Sequence, residues 1–138
     1  MHQAHDRIRV RTNGKGLYEI TPGVREWCAR EKASAGLLTL FCRHTSASLL
    51  IQENADPDVR ADLEAFFERI APESGQYIHD AEGPDDMPAH IRTALTQSSL
   101  SIPIHNGGLA LGIWQGIYLF EHRTAQHTRE VDLHFIGV

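Results

Sequence analysis

The sequence predicts an α+β fold, a mainly antiparallel β-sheet covered by helices, in one compact domain spanning residues 1–138. Three observations predict it. Apolar and polar residues alternate around Ile8–Val10, Leu100–Ile104 and Val131–Phe135, the period of half-buried strands. Val59, Leu63, Phe66, Phe67 and Ile70 recur at the spacing of one helix face. The order reads strands, helix, strand, two helices, then three or four strands, an α+β arrangement.

Taken in order, Ile8 and Val10 between arginines give a strand, Asn13-Gly14 a turn, and Leu17 to Ile20 a returning strand. Thr21-Pro22 reads as an N-cap with proline at the first helical position, and Val24, Trp27 and Cys28 share the face that follows. Leu37 to Cys42, LLTLFC, is apolar on both faces and predicts a central strand that ends at Arg43, His44, Thr45 and Ser46. Asp56-Pro57 repeats the cap-then-proline signal before the Val59–Ile70 helix, which Pro72 and Gly75 end. A polar, turn-rich stretch runs from Gln76 to Met87. Pro88 then opens a short helix with His90 in its first turn and Ile91, Ala94 and Leu95 inward. Leu100, Ile102 and Ile104 form a strand that Pro103 places at an edge or bulge. Asn106-Gly107-Gly108 makes a hairpin turn, Trp114 to His122 a long strand, and Val131, Leu133 and Phe135 the last one. Trp114 is expected in the core, and His105, His122 and His134 are expected on exposed positions.

Composition bounds the function. The formal charge is -5 and no run of Lys or Arg marks a nucleic-acid surface. No stretch approaches the roughly 20 apolar residues of a membrane span, and residues 1–11 lack the apolar region of a signal peptide. Cys28 and Cys42 read as two buried thiols, which suits a cytoplasmic protein. Nine histidines are many for this length, and imidazole is both a metal ligand and a proton shuttle near neutral pH.

Four constellations could carry chemistry. His44-Thr45-Ser46 leaves a buried strand, where hydroxyls and N–H groups can receive an anion, or it is a polar turn. Asn54 and Asp56 precede the long helix, where Asp56 has a capping role of its own. His79-Asp80, with Asp85-Asp86 and His90, is the densest group of potential ligands, or a solvated acidic loop. Asp80 could orient an imidazole from behind. Three histidines, His44, His79 and His90, would leave an open coordination position, the pattern of a catalytic metal. Gln115 and Arg123 form the last group; Arg123 could clamp a phosphate, or sit in a surface salt bridge.

The segments HTSASLLIQENADPDVR (44–60), YIHDAEGPDDMPAHIR (77–92), SLSIPIHNGGLALGIWQGIYL (99–119) and EHR (121–123) resemble the YjbQ family closely, in order and spacing. The resemblance implies a homotrimer with sites near its interfaces. It implies one pocket built from His44, Thr45, Ser46, Asn54, Asp56, His79, Asp80, His90 and Gln115. A divalent metal, Zn or Mg, would be held there by His44, His79 and His90. Ile113 stands where the family usually has threonine.

The activity implied is that of a thiamine-phosphate synthase. It would join an aminopyrimidine diphosphate to a thiazole phosphate, with His44, Asp56 and Asp80 catalytic and Thr45, Ser46, Asn54, Gln115 and Arg123 binding a small phosphorylated substrate. The residues themselves supply little for a diphosphate: no Gly-rich phosphate loop, and only Arg43, Arg92 and Arg123 near the motifs. The alternative is a non-enzymatic trimer that binds a metal or small anion.

Overall fold

The structure, a computed structural model, describes residues 1–138. Strand β1 (His2–Asn13) pairs along its whole length with the last strand, β8 (Gln126–Gly137), from His2 opposite Gly137 to Asn13 opposite Gln126. Strand β8 then pairs with β3 (Gly36–Cys42), β3 with β5 (Ser99–His105), and β5 with the short β6 (Gly108–Leu109). A second, three-stranded sheet has the order β2 (Gly16–Glu19), β7 (Gln115–Glu121), β4 (Ala47–Glu53). All these pairings are antiparallel. The expected α+β class with an antiparallel sheet is what the molecule has. The Asn13-Gly14 turn does not make a hairpin: it carries the chain from one sheet to the other, where β2 pairs with β7.

The two sheets share one core. Leu38 and Leu40 of β3, Leu133 and Phe135 of β8, Leu49 of β4 and Ile117 and Leu119 of β7 pack together with Val24, Trp27 and Cys28 of helix α1 (Thr21–Arg30). Alternate residues of β7, Tyr118 and Phe120, point the other way and meet Leu17 of β2 and Phe67 of helix α2 (Pro57–Ile70). Buried on both faces, β7 has the continuous apolar run of a central strand. Central β3 does not: Leu38 and Leu40 are fully buried, but Leu37 and Phe41 on its other face are 40% and 46% exposed.

Local signals are met with small shifts. Asp56 caps α2, its carboxylate accepting from the Asp58 N–H at 2.9 Å. Ile20 precedes α1 as its cap residue, so Thr21 is the first helical residue and not the cap. Asn106 and Gly107, both at positive φ (50° and 78°), make the two-residue turn joining β5 to β6. Helix α3 (Asp86–Leu95) starts two residues before Pro88. Its inner face carries Asp86, Ala89 and Arg92, and Leu95 is exposed. None of the three helices is long and apolar enough to cross a membrane.

Candidate metal centre

Helix α3 explains the clustering of ligands. Asp86 is its first residue and His90 lies four residues on, so both side chains stand on one face, one turn apart. His79 arrives from the loop between α2 and α3. Its Nε2 lies 2.7 Å from Asp86 Oδ2, and His90 Nε2 lies 3.2 Å from the same oxygen. The two imidazole rings are 5.5 Å apart, and one ligand atom from each of the three residues lies within 4.8 Å of the others.

The hydrogen bond on the far side of His90 fixes its role. His90 Nδ1 is 3.1 Å from the Thr45 carbonyl oxygen, which can only accept. Nδ1 therefore carries the hydrogen, and neutral His90 presents the Nε2 lone pair to Asp86. Two acceptors facing each other at 3.2 Å require a cation between them, a proton or a metal ion. An imidazole whose other nitrogen donates to a backbone carbonyl is the usual state of a metal-ligating histidine.

Arg123, just beyond β7, holds the carboxylates in place. Its Nε donates to Asp85 Oδ2 at 2.9 Å, one terminal nitrogen to Asp86 Oδ1 at 2.6 Å, and the other to the Glu82 carbonyl at 2.9 Å. The hydrogen bond to Asp85 raises the Arg123 pKa, against an opposing effect of burial. Burial pushes the Asp86 carboxyl up, but the His79 hydrogen bond and the Arg123 charge outweigh it and keep Asp86 an anion. The Asp86 hydrogen bond in turn raises the pKa of His79.

The nine residues of the expected pocket are divided within one chain. His79 and His90 meet, and Thr45 joins them through its carbonyl rather than its hydroxyl. His44 points elsewhere: its Nε2 accepts from the Glu130 N–H at 2.9 Å, and burial with the nearby Arg129 charge lowers its pKa. Within the chain, the third potential ligand atom beside the two imidazoles lies on Asp86, with His44 outside this group. Ser46 is held by Arg129, its hydroxyl and carbonyl oxygens both accepting from that guanidinium. Asp80 is exposed and does not reach the imidazoles; Asp86 holds that place. Arg123, expected to clamp a phosphate, has its guanidinium taken up by Asp85, Asp86 and Glu82.

The remaining expected residues lie at the other end of the three-stranded sheet. Asn54 donates from Nδ2 to Glu19 Oε2 at 3.0 Å, and Gln115 Oε1 accepts from the Gly112 N–H at 2.7 Å. Asp56 is occupied as a helix cap. Strand β4 lies between this group and Ser46 and alone spans six residue steps, about 20 Å of extended chain. Trp114 and Ile113, beside it, are 60% and 84% exposed, so Trp114 is not a core residue.

Two further residues support the site. Glu121 is fully buried and accepts from Arg129, from Thr12 Oγ1 at 2.6 Å and from the N–H groups of His122 and Arg123 at 3.0 and 3.1 Å. His122, expected at the surface, is buried: its Nε2 lies 2.9 Å from Ser48 Oγ, which is 2.6 Å from Thr96 Oγ1 on the residue that follows α3. Burial, with the Arg92 charge, lowers its pKa to about 3. The Asp86–His90 spacing of four was readable on a helix starting at Asp86. A start at Pro88 hid it and put His90 in the first turn, whereas it stands in the second.

A cavity of about 450 Å³ adjoins His79, lined also by Glu73, Gln76, Tyr77, Asp80 and Met87. Its charged lining residues other than His79 are both carboxylates. That is a poor environment for a phosphorylated substrate.

The profile of the UPF0047 protein YjbQ-like family matches residues 6–138. A UPF0047 protein of Synechocystis is 51% identical over 136 residues, covering 98% of this chain and 92% of that protein. The UPF0047 protein YjbQ of Escherichia coli O157:H7 is 42% identical over 125 residues, covering 90% and 91%. A crystal structure of an uncharacterized YjbQ/UPF0047 protein from Clostridium acetobutylicum superposes with a TM-score of 0.85 at 36% identity, covering 96% of this chain and 99% of that one. A YbjQ-like protein of unknown function from Sulfolobus solfataricus shares the fold, with a TM-score of 0.88 at 18% identity over 99% and 100% of the two chains. These descriptions overturn the expected thiamine-phosphate synthase activity: they name UPF0047 proteins and an uncharacterized protein, and none names a synthase or a thiamine precursor. Profile, relatives and fold agree, and the chain belongs to the UPF0047 (YjbQ) family.

Proposed function

We propose that the protein binds one divalent transition-metal ion through His79, Asp86 and His90. The observation that carries this reading is the pair of facing acceptors, His90 Nε2 and Asp86 Oδ2, with His90 Nδ1 committed to the Thr45 carbonyl. Two imidazoles and one carboxylate suit Zn²⁺, Fe²⁺ or Co²⁺. They do not suit Mg²⁺, which prefers oxygen ligands and water. When bound, such an ion supplies Lewis-acid chemistry, lowering the pKa of a water at its free position. The chain's part is to fix the ligands and to leave the His79 side open to the adjoining cavity. Self-association into the expected trimer is supported by the exposed Leu37 and Phe41 on the outer sheet face. A cytoplasmic setting is supported by the two buried free thiols, Cys28 and Cys42.

The test is Zn²⁺ titration of metal-free protein against a competing chelator. One ion per chain is expected. His79→Ala, His90→Ala and Asp86→Asn should each weaken binding by more than about a hundredfold, beyond what a supporting residue costs. His44→Ala should bind as the parent does. Equal affinity in His90→Ala and the parent would sink the reading.

A further inference from the structure

We infer that Arg123 determines which metal the site accepts, by making Asp86 a one-oxygen ligand. The inference rests on the metal reading of His79, Asp86 and His90. A carboxylate can offer a metal one oxygen or two. Large, oxygen-preferring cations such as Ca²⁺ take six to eight oxygens, often both from one carboxylate. A tetrahedral ion such as Zn²⁺ needs only one. Here Asp86 Oδ1 accepts from the Arg123 guanidinium at 2.6 Å, and Oδ2 alone faces the two imidazoles.

The rest of the guanidinium is fixed as firmly. Its Nε contacts Asp85 Oδ2 and its second terminal nitrogen the Glu82 carbonyl, each at 2.9 Å. Asp85 also accepts from the Thr124 N–H and hydroxyl at 2.9 and 3.2 Å. The fork therefore cannot swing away from Asp86 without breaking contacts to two other residues. Geometry opposes charge in this arrangement. Removing the Arg123 cation would strengthen the pull of the carboxylates on any cation, but it would free Oδ1 and release the loop that carries His79. For a compact ion the geometry should win; for a large oxygen-seeking ion the charge should.

Lysine keeps the positive charge but cannot reproduce the planar fork. If only charge mattered, Arg123→Lys would behave as the parent.

The experiment measures Zn²⁺, Co²⁺ and Mn²⁺ affinities for the parent, Arg123→Ala and Arg123→Lys, with melting temperature as the folding control. Zn²⁺ affinity should fall roughly 10- to 100-fold in Arg123→Ala, the usual cost of losing a supporting partner. Mn²⁺ affinity should hold or rise, so the Zn²⁺/Mn²⁺ ratio collapses. Arg123→Lys should lose most of the ratio as well. Bound Co²⁺ should change from the intense visible absorption of four-coordination to the weak bands of a higher number. A loss of stability alone would not move that ratio or that spectrum. Should Arg123→Ala not fold, Asp85→Asn loosens the same fork from its far side and should shift the ratio in the same direction. Parent-like ratios and Co²⁺ spectra in the folded variants would overturn the inference while leaving the metal site standing. A parent that binds no metal would overturn both.

Discussion

His122 should make the fold sensitive to mild acid, and the size of the effect follows from its surroundings. The ring is 1% exposed, bonded to Ser48 through Nε2, and its Nδ1 has no partner. Burial, with the Arg92 charge, holds its pKa at about 3 against an unfolded value of 6.5. The folded state therefore binds fewer protons than the unfolded chain between those two values. Stability linked to this residue is complete above pH 6.5 and is lost as pH falls towards 3. At pH 5 the unfolded ring is 1.5 units below its pKa, which at 1.36 kcal/mol per unit is about 2 kcal/mol. The whole gap, 6.5 − 3 = 3.5 units, amounts to about 5 kcal/mol in stronger acid. Two other histidines also titrate: His44, held low, adds a loss of the same sign, and His79, held high, opposes it. A double difference isolates His122. Urea unfolding of the parent and of His122→Gln is compared at pH 7.5 and pH 5.0. The glutamine amide keeps hydrogen-bonding groups at this position but does not titrate. The parent should lose about 2 kcal/mol more than the variant over this interval. In the folded parent, the NMR resonances of the His122 ring should stay flat from pH 8 to 5. Equal losses in the two proteins, or a ring titrating near 6.5, would refute the argument.

Two other substitutions test the frame around the site. Glu121→Gln leaves Arg129, 5% exposed, without its counter-charge and should cost about 3–5 kcal/mol in denaturant unfolding, far beyond a surface charge change. Gly36 sits at φ 153°, and a Cβ there would collide with the Ile136 carbonyl and lie 2.7 Å from Gly137 Cα where β3 meets β8. Gly36→Ala should therefore lower the melting temperature by several degrees, about 3–4 °C for each kcal/mol lost in a domain of this size. An unchanged melting temperature would show that the two strands can separate there without cost.

Much of the fold was legible because each signal was local. The cap-and-proline pair at Asp56-Pro57, the Asn106-Gly107 turn and the strand alternations report on their own neighbours. The pairing of the first strand with the last was not legible, because nothing in β1 names β8 as its partner. Outer-face exposure was missed for a similar reason. Leu37 and Phe41 are as apolar as Leu38 and Leu40, and only the three-dimensional placement separates the two faces. At the candidate site, His79, Asp86 and His90 fall in one ligand-rich group by residue type and proximity in the chain. The role beside the imidazoles went to Asp80, the acid adjacent to His79, and not to Asp86. In an extended loop, adjacent side chains point apart, whereas the acid seven residues on is brought back by the start of α3.

The three consecutive residues Glu121, His122 and Arg123 show how the site is supported. Glu121 joins Thr12 of β1 and Arg129 of β8, and Arg129 in turn holds Ser46. His122 reaches through Ser48 to Thr96, the residue that ends α3. Arg123 takes Asp85 and Asp86 at the opposite end of that helix. Thus α3 is held at both ends by neighbouring residues at the end of β7, the central strand of its sheet. The carbonyl of Thr45, next to Ser46, fixes His90 between those ends. A metal ligand needs to be placed within about half an ångström, and residues anchored to a packed strand achieve this better than a free loop does. His79 is the exception, carried by loop 71–85 and tied mainly through Asp86 and Glu82. It is therefore the proposed ligand with the most freedom to move, and the one that lines the adjoining cavity.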